Sequence, residues 1–227
     1  MISKPIYAVI PAHNEEETVG EVVKGLKQLD LDLKIIVVDD GSNDKTAKRA
    51  REAGATVVMH LVNLGQWAAL RTAFIISLLN HAEVVVSLDG DGQHLPKDLP
   101  PLIQPILKNE ADFVIGSRFI NESKPLMHPH RYFGIKFFNK LINLITGLNL
   151  TDCTCGYRAY RADLVAKLLS RINENQYGSL EAIIQASRLK ARICETPIIS
   201  FPSKKTTKGN LRYAYNLLRS IFKFMFV

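Results

Sequence analysis

The sequence predicts an α/β protein with a mostly parallel central sheet and helices on both of its faces. Two observations carry that expectation. Short apolar runs alternate with helix-spaced segments in a βαβαβ rhythm through the first half. Polar, acid-rich clusters follow three of those runs, and an open parallel sheet gathers its ligands outside the carboxyl ends of its strands. The 227 residues, 47% hydrophobic and 22% charged, suit one domain with a sizeable core and argue against disorder over most of the length.

Residues 6–10 read as the first strand. Residues 18–29 have helical spacing, with Val19, Val22, Val23 and Leu26 on one face. Residues 34–38 form an apolar run that ends in acids. Asn43 or Asp44 can cap the next helix, which runs through Ala53 and ends at Gly54. Residues 55–59 read as a strand, 66–79 as a helix and 83–88 as a strand. A helix is expected over 98–108 in spite of Pro100, Pro101 and Pro105, and 112–116 is a further buried strand. The second half is less regular. Residues 133–148 are an amphipathic helix candidate, 179–190 look helical and 191–196 strand-like. Residues 202–209 form a polar, basic loop and 210–227 a cationic, aromatic tail.

The net charge of +7 fits nucleic acid, an anionic membrane face or a phosphate-bearing substrate. It does not choose among them, although the basic residues are not interleaved with a nucleic-acid recognition motif. Three cysteines, Cys153, Cys155 and Cys194, are an odd number and read as buried, inert thiols. The first ten residues lack a signal-peptide layout, and no uncharged apolar run reaches the roughly 18–20 residues of a membrane span. A cytoplasmic protein, peripheral on the membrane face, is the expectation.

The clusters carry the chemistry. Asp89-Gly90-Asp91 follows an apolar strand, and acids at alternate positions can share one hard cation. Mg²⁺ or Mn²⁺ is commonly held by one or two carboxylates plus substrate phosphates. Gln93 offers another oxygen. Pro11-Ala12-His13-Asn14-Glu15-Glu16 also suits a helix N-terminus, and Asp39-Asp40-Gly41-Ser42 an N-cap and turn. In the second of these, a carboxylate can instead accept from a base N–H or a ribose hydroxyl.

In order, Pro-Ala-His-Asn-Glu-Glu, Val-Val-Asp-Asp-Gly-Ser, Asp-Gly-Asp-Gly-Gln-His, Gly116-Ser117-Arg118-Phe119 and Asp152-Cys-Thr-Cys-Gly156-Tyr157-Arg158 resemble the family 2 glycosyltransferases. The nearest branch is that of the dolichyl- or polyprenyl-phosphate mannosyl- and glucosyltransferases, over roughly residues 5–200. The resemblance implies a GT-A (Rossmann-like) catalytic domain over 1–205, with 206–227 as a cationic amphipathic tail. It implies inverting transfer from a nucleoside-diphosphate sugar to a polyprenyl or dolichyl phosphate, with Mg²⁺ or Mn²⁺ as cofactor. Pro11, His13, Glu15, Val38 and Asp40 would line the nucleotide, His13 standing where relatives usually have tyrosine. Asp89, Gly90 and Asp91 would meet the diphosphate, and Asp89, Asp91 and Gln93 the metal. Arg118 and Arg131, with Lys204 and Lys205 of the basic loop, would bind the acceptor phosphate. Asp91 and Asp152 are the catalytic candidates.

Two departures from the family pattern stand out. Asn63-Leu64-Gly65-Gln66-Trp67 lacks the lysine common in relatives, and residues 203–210 replace an arginine-containing loop with lysines, which are point charges rather than bidentate forks. The alternatives are a saccharide acceptor, which would need a general base such as Asp152, and a catalytically idle sugar-nucleotide-binding subunit. Besides the two substrates, the expected partners are an anionic membrane surface and a membrane protein; nucleic acid is not expected.

Overall fold

The computed structural model describes residues 5–120, 127, 129–172, 175, 176, 178–201, 216, 218 and 219. Seven strands form one sheet: β1 (Ile6–Ala12), β2 (Leu33–Asp40), β3 (Thr56–His60), β4 (Val84–Ser87), β5 (Phe113–Ser117), β6 (Arg158–Arg161) and β7 (Ile193–Pro197). Their order is β3-β2-β1-β4-β6-β5-β7. Strand β6 is antiparallel to both of its neighbours, and the other pairings are parallel.

The helices are α1 (Val19–Lys27), α2 (Thr46–Glu52), α3 (Gln66–Leu79), α4 (Leu99–Leu107), α5 (Pro129–Thr146), α6 (Ala162–Leu169) and α7 (Gly178–Arg188). They fall into two packed groups. Helix α1 touches α2 and the short 3-10 turn Pro96–Asp98 that leads into α4, whereas α3 touches α6, α6 touches α7 and α7 touches α5. Every side chain of β4 and β5 is buried, as is every one from Ile35 to Asp40 in β2. Successive strand side chains point to opposite faces, so both faces of the sheet are covered.

The apolar stripe of α1 is buried as its spacing predicts, at Val19, Val22, Val23 and Leu26. Each such side chain contributes about 1.5–3 kcal/mol of transfer free energy. Pro100 and Pro101 stand in the first turn of α4, where an amide hydrogen has no intrahelical partner, and Pro105 lies two residues before the helix ends at Leu107. Asp44 acts at the start of α2: its Oδ1 accepts from the Thr46 amide at 2.9 Å.

Strand β6 and helix α6 are not marked by the sequence pattern. Arg158-Ala-Tyr-Arg has charges at both ends, yet Arg158 is 1% exposed. Its guanidinium substitutes main-chain carbonyls for water: Nε donates to Cys155 O (2.7 Å), Nη1 to Ser179 O (2.6 Å) and Nη2 to Cys153 O (2.8 Å). Helix α5 begins at Pro129 rather than Phe133. Among the described residues no helix is long and apolar enough to cross a membrane. The basic loop and most of the tail lie outside the described residues, but Leu218 packs against the core.

Candidate active site

The ends of β1 and β2 are stitched together by reciprocal hydrogen bonds. The Asn14 amide donates to Ser42 Oγ (2.9 Å), the Asn43 amide to Asn14 Oδ1 (2.9 Å), and the Glu15 amide to Thr46 Oγ1 (2.7 Å). Asn14 adopts φ 55, a left-handed conformation that asparagine tolerates better than most residues. His13 Nδ1 lies 2.8 Å from the Asp40 carbonyl, and the Asn14 side-chain amide is 3.2 Å from His13 Nε2. The pair fits a histidine donating from Nδ1 and accepting at Nε2. Asp39 Oδ1 closes the turn by accepting from the Ser42 amide at 3.0 Å.

Asp40 is turned toward the β3–α3 loop. Its carboxylate accepts from the amides of Leu64 (3.0 Å) and Gly65 (2.8 Å), and Oδ1 lies 2.7 Å from His60 Nδ1. Gly41 allows this loop to close: at φ +69, a Cβ there would meet Asn63 N and the Val62 carbonyl carbon at 2.5 Å. Two expectations change as a result. Val38 is fully buried and paired on both sides, opposite Pro11 and Val58, so its side chain does not face a ligand. Asp40, 3% exposed, shapes the loop rather than presenting an open carboxylate to a ribose.

The third cluster joins the first. Thr18 Oγ1 donates to Gly90 O at 2.8 Å, and a Cβ on Gly90 would stand 3.3 Å from Ile10 and 3.4 Å from Ala12. Asp89 and Asp91 are both half-buried. Gln66 Nε2 donates to Asp89 Oδ1 at 2.7 Å. Gln93 folds back on Asp91: its amide N–H donates to Oδ1 at 3.1 Å and its side-chain nitrogen to Oδ2. Gln93 thus stands against Asp91, beside the acids with which it was expected to share a cation. His94 is buried, stacks on Tyr157 with ring centroids 5.3 Å apart and bridges to Ser200.

Arg118 and Asp152 form a second network. Arg118 and Asp152 make a buried two-point ion pair, with Nε to Oδ2 at 2.6 Å and Nη2 to Oδ1 at 2.8 Å. Thr154 Oγ1 adds a contact to each, at 2.9 Å from Arg118 Nη2 and 3.1 Å from Asp152 Oδ1. Among the described residues these contacts use Nε and Nη2. Burial works against the Arg118 charge, but the facing Asp152 carboxylate outweighs it and holds the guanidinium more firmly protonated.

Behind this pair stands Glu195, which sequence reasoning missed. Its carboxylate accepts from the amides of Thr151 and Asp152, both at 2.8 Å, and from the Thr151 hydroxyl at 2.9 Å. Burial pushes the Glu195 carboxyl above the usual range, while these hydrogen bonds pull it back. The available signal was an acid in the middle of the strand-like run Ile193-Cys-Glu-Thr-Pro. Helix α5 supports the same turn through Asn139, whose side chain accepts from the Cys153 amide (2.8 Å) and donates to Thr151 O.

The two networks abut. A Cβ on Gly156 would stand 3.2 Å from both Asp89 oxygens, and the Asp89 charge reaches Arg118. Cys153 and Cys155 are buried as expected, and burial pushes the Cys155 thiol up to about 12; Cys194 is half-buried. Arg131 lies in the first turn of α5, and Lys204 and Lys205 lie outside the described residues. Among the described residues no group of three or more His, Cys, Asp or Glu could hold a metal ion by itself. The pair Asp89 and Asp91 matches the lighter protein donor set of Mg²⁺ or Mn²⁺, which takes its other ligands from phosphates and water.

The family model for glycosyl transferase family 2 matches residues 7–169, more than half of the chain. The chain belongs to glycosyl transferase family 2. It is 32% identical over 220 residues to the UDP-N-acetylglucosamine–dolichyl-phosphate N-acetylglucosaminyltransferase of Methanococcus voltae, covering 87% of this chain and 86% of that one. It is 34% identical over 201 residues to the undecaprenyl-phosphate mannosyltransferase of Micrococcus luteus, covering 85% and 82%. A crystal structure of glucosyl-3-phosphoglycerate synthase from Mycobacterium tuberculosis, in complex with Mn²⁺, uridine diphosphate and phosphoglyceric acid, superposes with a TM-score of 0.78. That likeness covers 97% of this chain and 78% of the other at 22% identity, and it shows the shared GT-A fold.

Proposed function

We propose that this family 2 enzyme transfers a sugar, with inversion, from a nucleoside-diphosphate sugar to a polyprenyl or dolichyl phosphate. The observation that carries the reading is a half-buried pair of acids, Asp89 and Asp91, abutting a held guanidinium, Arg118. A donor diphosphate would meet the first and an acceptor phosphate the second. Relatives that act on dolichyl and undecaprenyl phosphates support this choice of acceptor.

Pro11, His13 and Glu15 border the nucleotide, with Val38 and Asp40 acting through the main chain and the β3–α3 loop. Asp89 and Asp91 would hold Mg²⁺ or Mn²⁺, and a cation bound there would supply charge to stabilise the departing diphosphate. Arg118 orients the acceptor phosphate through Nη1, and Arg131, Lys204 and Lys205 add positive charge. A phosphate oxygen attacks the anomeric carbon from the face opposite the leaving group. The new C–O bond forms as the bond to the diphosphate breaks, and the nucleoside diphosphate departs. A lipid phosphate with a second pKa of roughly 6 is largely ionised at neutral pH and needs no base. Asp152 therefore positions Arg118.

The chain meets the membrane through α5. Phe133, Phe137 and Leu144 are 70%, 54% and 82% exposed, and exposed Lys136 and Lys140 stand beside them. No acid occurs between Pro129 and Thr146. Such a face suits an anionic interface. Lys136 Nζ lies 4.8 Å from the Phe119 ring centroid, which joins this helix to the residue after Arg118.

Incubation of a panel of sugar nucleotides with Mn²⁺, with and without undecaprenyl phosphate, tests the function. A lipid-linked sugar should form, and Asp91→Asn should remove at least 99% of its formation while leaving the fold intact. Full activity of that variant, or in excess chelator, would refute the metal role; no turnover with any donor and acceptor would refute the transferase.

A further inference from the structure

We propose that His60 is a positioning residue for the donor nucleotide: its imidazole holds the Asp40 carboxylate against the β3–α3 loop and so fixes the end of β2 beside which the nucleotide lies. The inference rests on reading the ends of β1 and β2 as the nucleotide side of the site.

His60 is the last residue of β3 and stands opposite Asp40 in the parallel register with β2. Its side chain is 11% exposed, and that of Asp40 5%. Nδ1 lies 2.7 Å from Asp40 Oδ1, and Nε2 lies 2.9 Å from Thr72 Oγ1 in α3. Both ring nitrogens are engaged, so the ring ties the ends of two strands to a helix. Asp40 Oδ1 also accepts from the Leu64 amide, and at that oxygen the imidazole is a second donor.

Asp40 passes this direction on in two ways. Its carboxylate accepts from the amides of Leu64 and Gly65, which shapes the loop. Its main-chain carbonyl lies 2.8 Å from His13 Nδ1, which ties the end of β2 to the segment after β1. The next residue, Gly41, is close enough to the loop that a Cβ would meet Asn63 N at 2.5 Å. A carboxylate that swung away from His60 would release the loop amides and loosen the strand end against which His13 rests.

Packing alone does not call for this arrangement. Helix α3 already lies on β1 and β2 and buries Trp67, Ala69, Leu70, Ala73 and Phe74. Burying a carboxylate and an imidazole costs hydration that an apolar pair of similar size would not. What the polar chain from Thr72 through His60 to Asp40 adds is direction, because a hydrogen bond to a charged group fixes an angle that a methyl contact does not.

The test is calorimetric titration of the full chain with UDP, GDP, ADP and CDP in the presence of Mn²⁺, beside the KM of donor and acceptor. His60→Gln keeps an amide nitrogen near the place of Nε2 and loses the donor to Asp40. It should weaken nucleotide binding about five- to tenfold and raise the donor KM, with the KM for undecaprenyl phosphate near wild type. His60→Asn keeps a nitrogen near the place of Nδ1 and should bind within about twofold of wild type, even where its Tm is as low as that of His60→Gln. If His60→Gln does not fold, Thr72→Val, which removes the other partner of the ring, decides, with an expected loss of about two- to threefold. Wild-type nucleotide affinity in the deciding variant, or losses in both His60 variants that follow Tm alone, would overturn the role of His60; weakened binding in Gly41→Ala would then leave the nucleotide reading standing. No binding of any of these nucleotides by the wild-type chain would overturn both.

Discussion

Replacing Asp152 by asparagine separates a positioning role from that of a general base. Its carboxylate is 0% exposed, and its oxygens accept from the Arg118 amide, the Arg118 Nε and Nη2 groups and the Thr154 hydroxyl. In Asp152→Asn one oxygen becomes an NH2 group that faces another donor, and the Arg118 charge stays buried without its partner. Breaking a buried pair from one side costs about 3–5 kcal/mol. For a chain of this size each kcal/mol lowers Tm by roughly 2–4 °C, so a fall of about 6–20 °C is expected in calorimetry. Below that transition, the KM for undecaprenyl phosphate should rise while the donor KM stays near wild type, because the proposed ligand of the disturbed guanidinium is the acceptor phosphate. The pH profile of kcat should keep its shape. An unchanged Tm would refute the energetic argument. An unchanged acceptor KM with a kcat restored at alkaline pH would refute the positioning role and point to a base.

Three further outcomes follow. Gly41→Ala forces a side chain into φ +69 with backbone atoms 2.5 Å from the new Cβ, and should destabilise by at least ~1–3 kcal/mol and weaken nucleotide binding in calorimetric titration. Asp112 is held at a pKa of about 2, chiefly by hydrogen bonds from the Arg192 side chain. A depressed folded pKa gives stability that is present above the unfolded value of 3.8 and lost as pH falls through about 2. Arg192→Met should therefore lower stability only slightly at neutral pH, since the pair is solvent-screened, and the difference from wild type in urea melts should shrink as pH falls and vanish below about pH 2. Phe133→Ser/Phe137→Ser should reduce cosedimentation with anionic liposomes at low salt without lowering Tm; retention equal to wild type would remove α5 from the membrane face.

The strands that carry the first half of the site were legible because their side chains are buried on both faces. Such strands are continuous apolar runs, and the polar clusters after β1, β2 and β4 mark where they stop. Convergence of the clusters followed from parallel topology. What each acid touches did not. Asp40 and Asp91 share the same chemistry in sequence, yet one is turned toward the amides of Leu64 and Gly65 and the other faces Gln93. The choice at Asp40 depends on a loop brought in from more than twenty residues away, with Gly41 against Asn63, and that at Asp91 on how its own turn folds. Strand β6 was missed for a related reason. A buried arginine satisfied by three carbonyls reads, in sequence, as a surface charge.

The same limit explains why the acceptor side matters for the type of reaction. Asp152 and Glu195 are both acids near Arg118, and the sequence alone offered Asp152 as a candidate base. In the fold, Asp152 is committed to the guanidinium and Glu195 to the turn that presents Asp152. Removing a proton from a sugar hydroxyl would require a carboxylate able to leave such contacts. An acceptor that arrives already ionised makes no such demand and is attracted by the positive group that these acids hold in place. Two carboxylates spent on orienting one arginine suit an anion acceptor, and that is the physical ground for preferring a lipid phosphate over a saccharide hydroxyl.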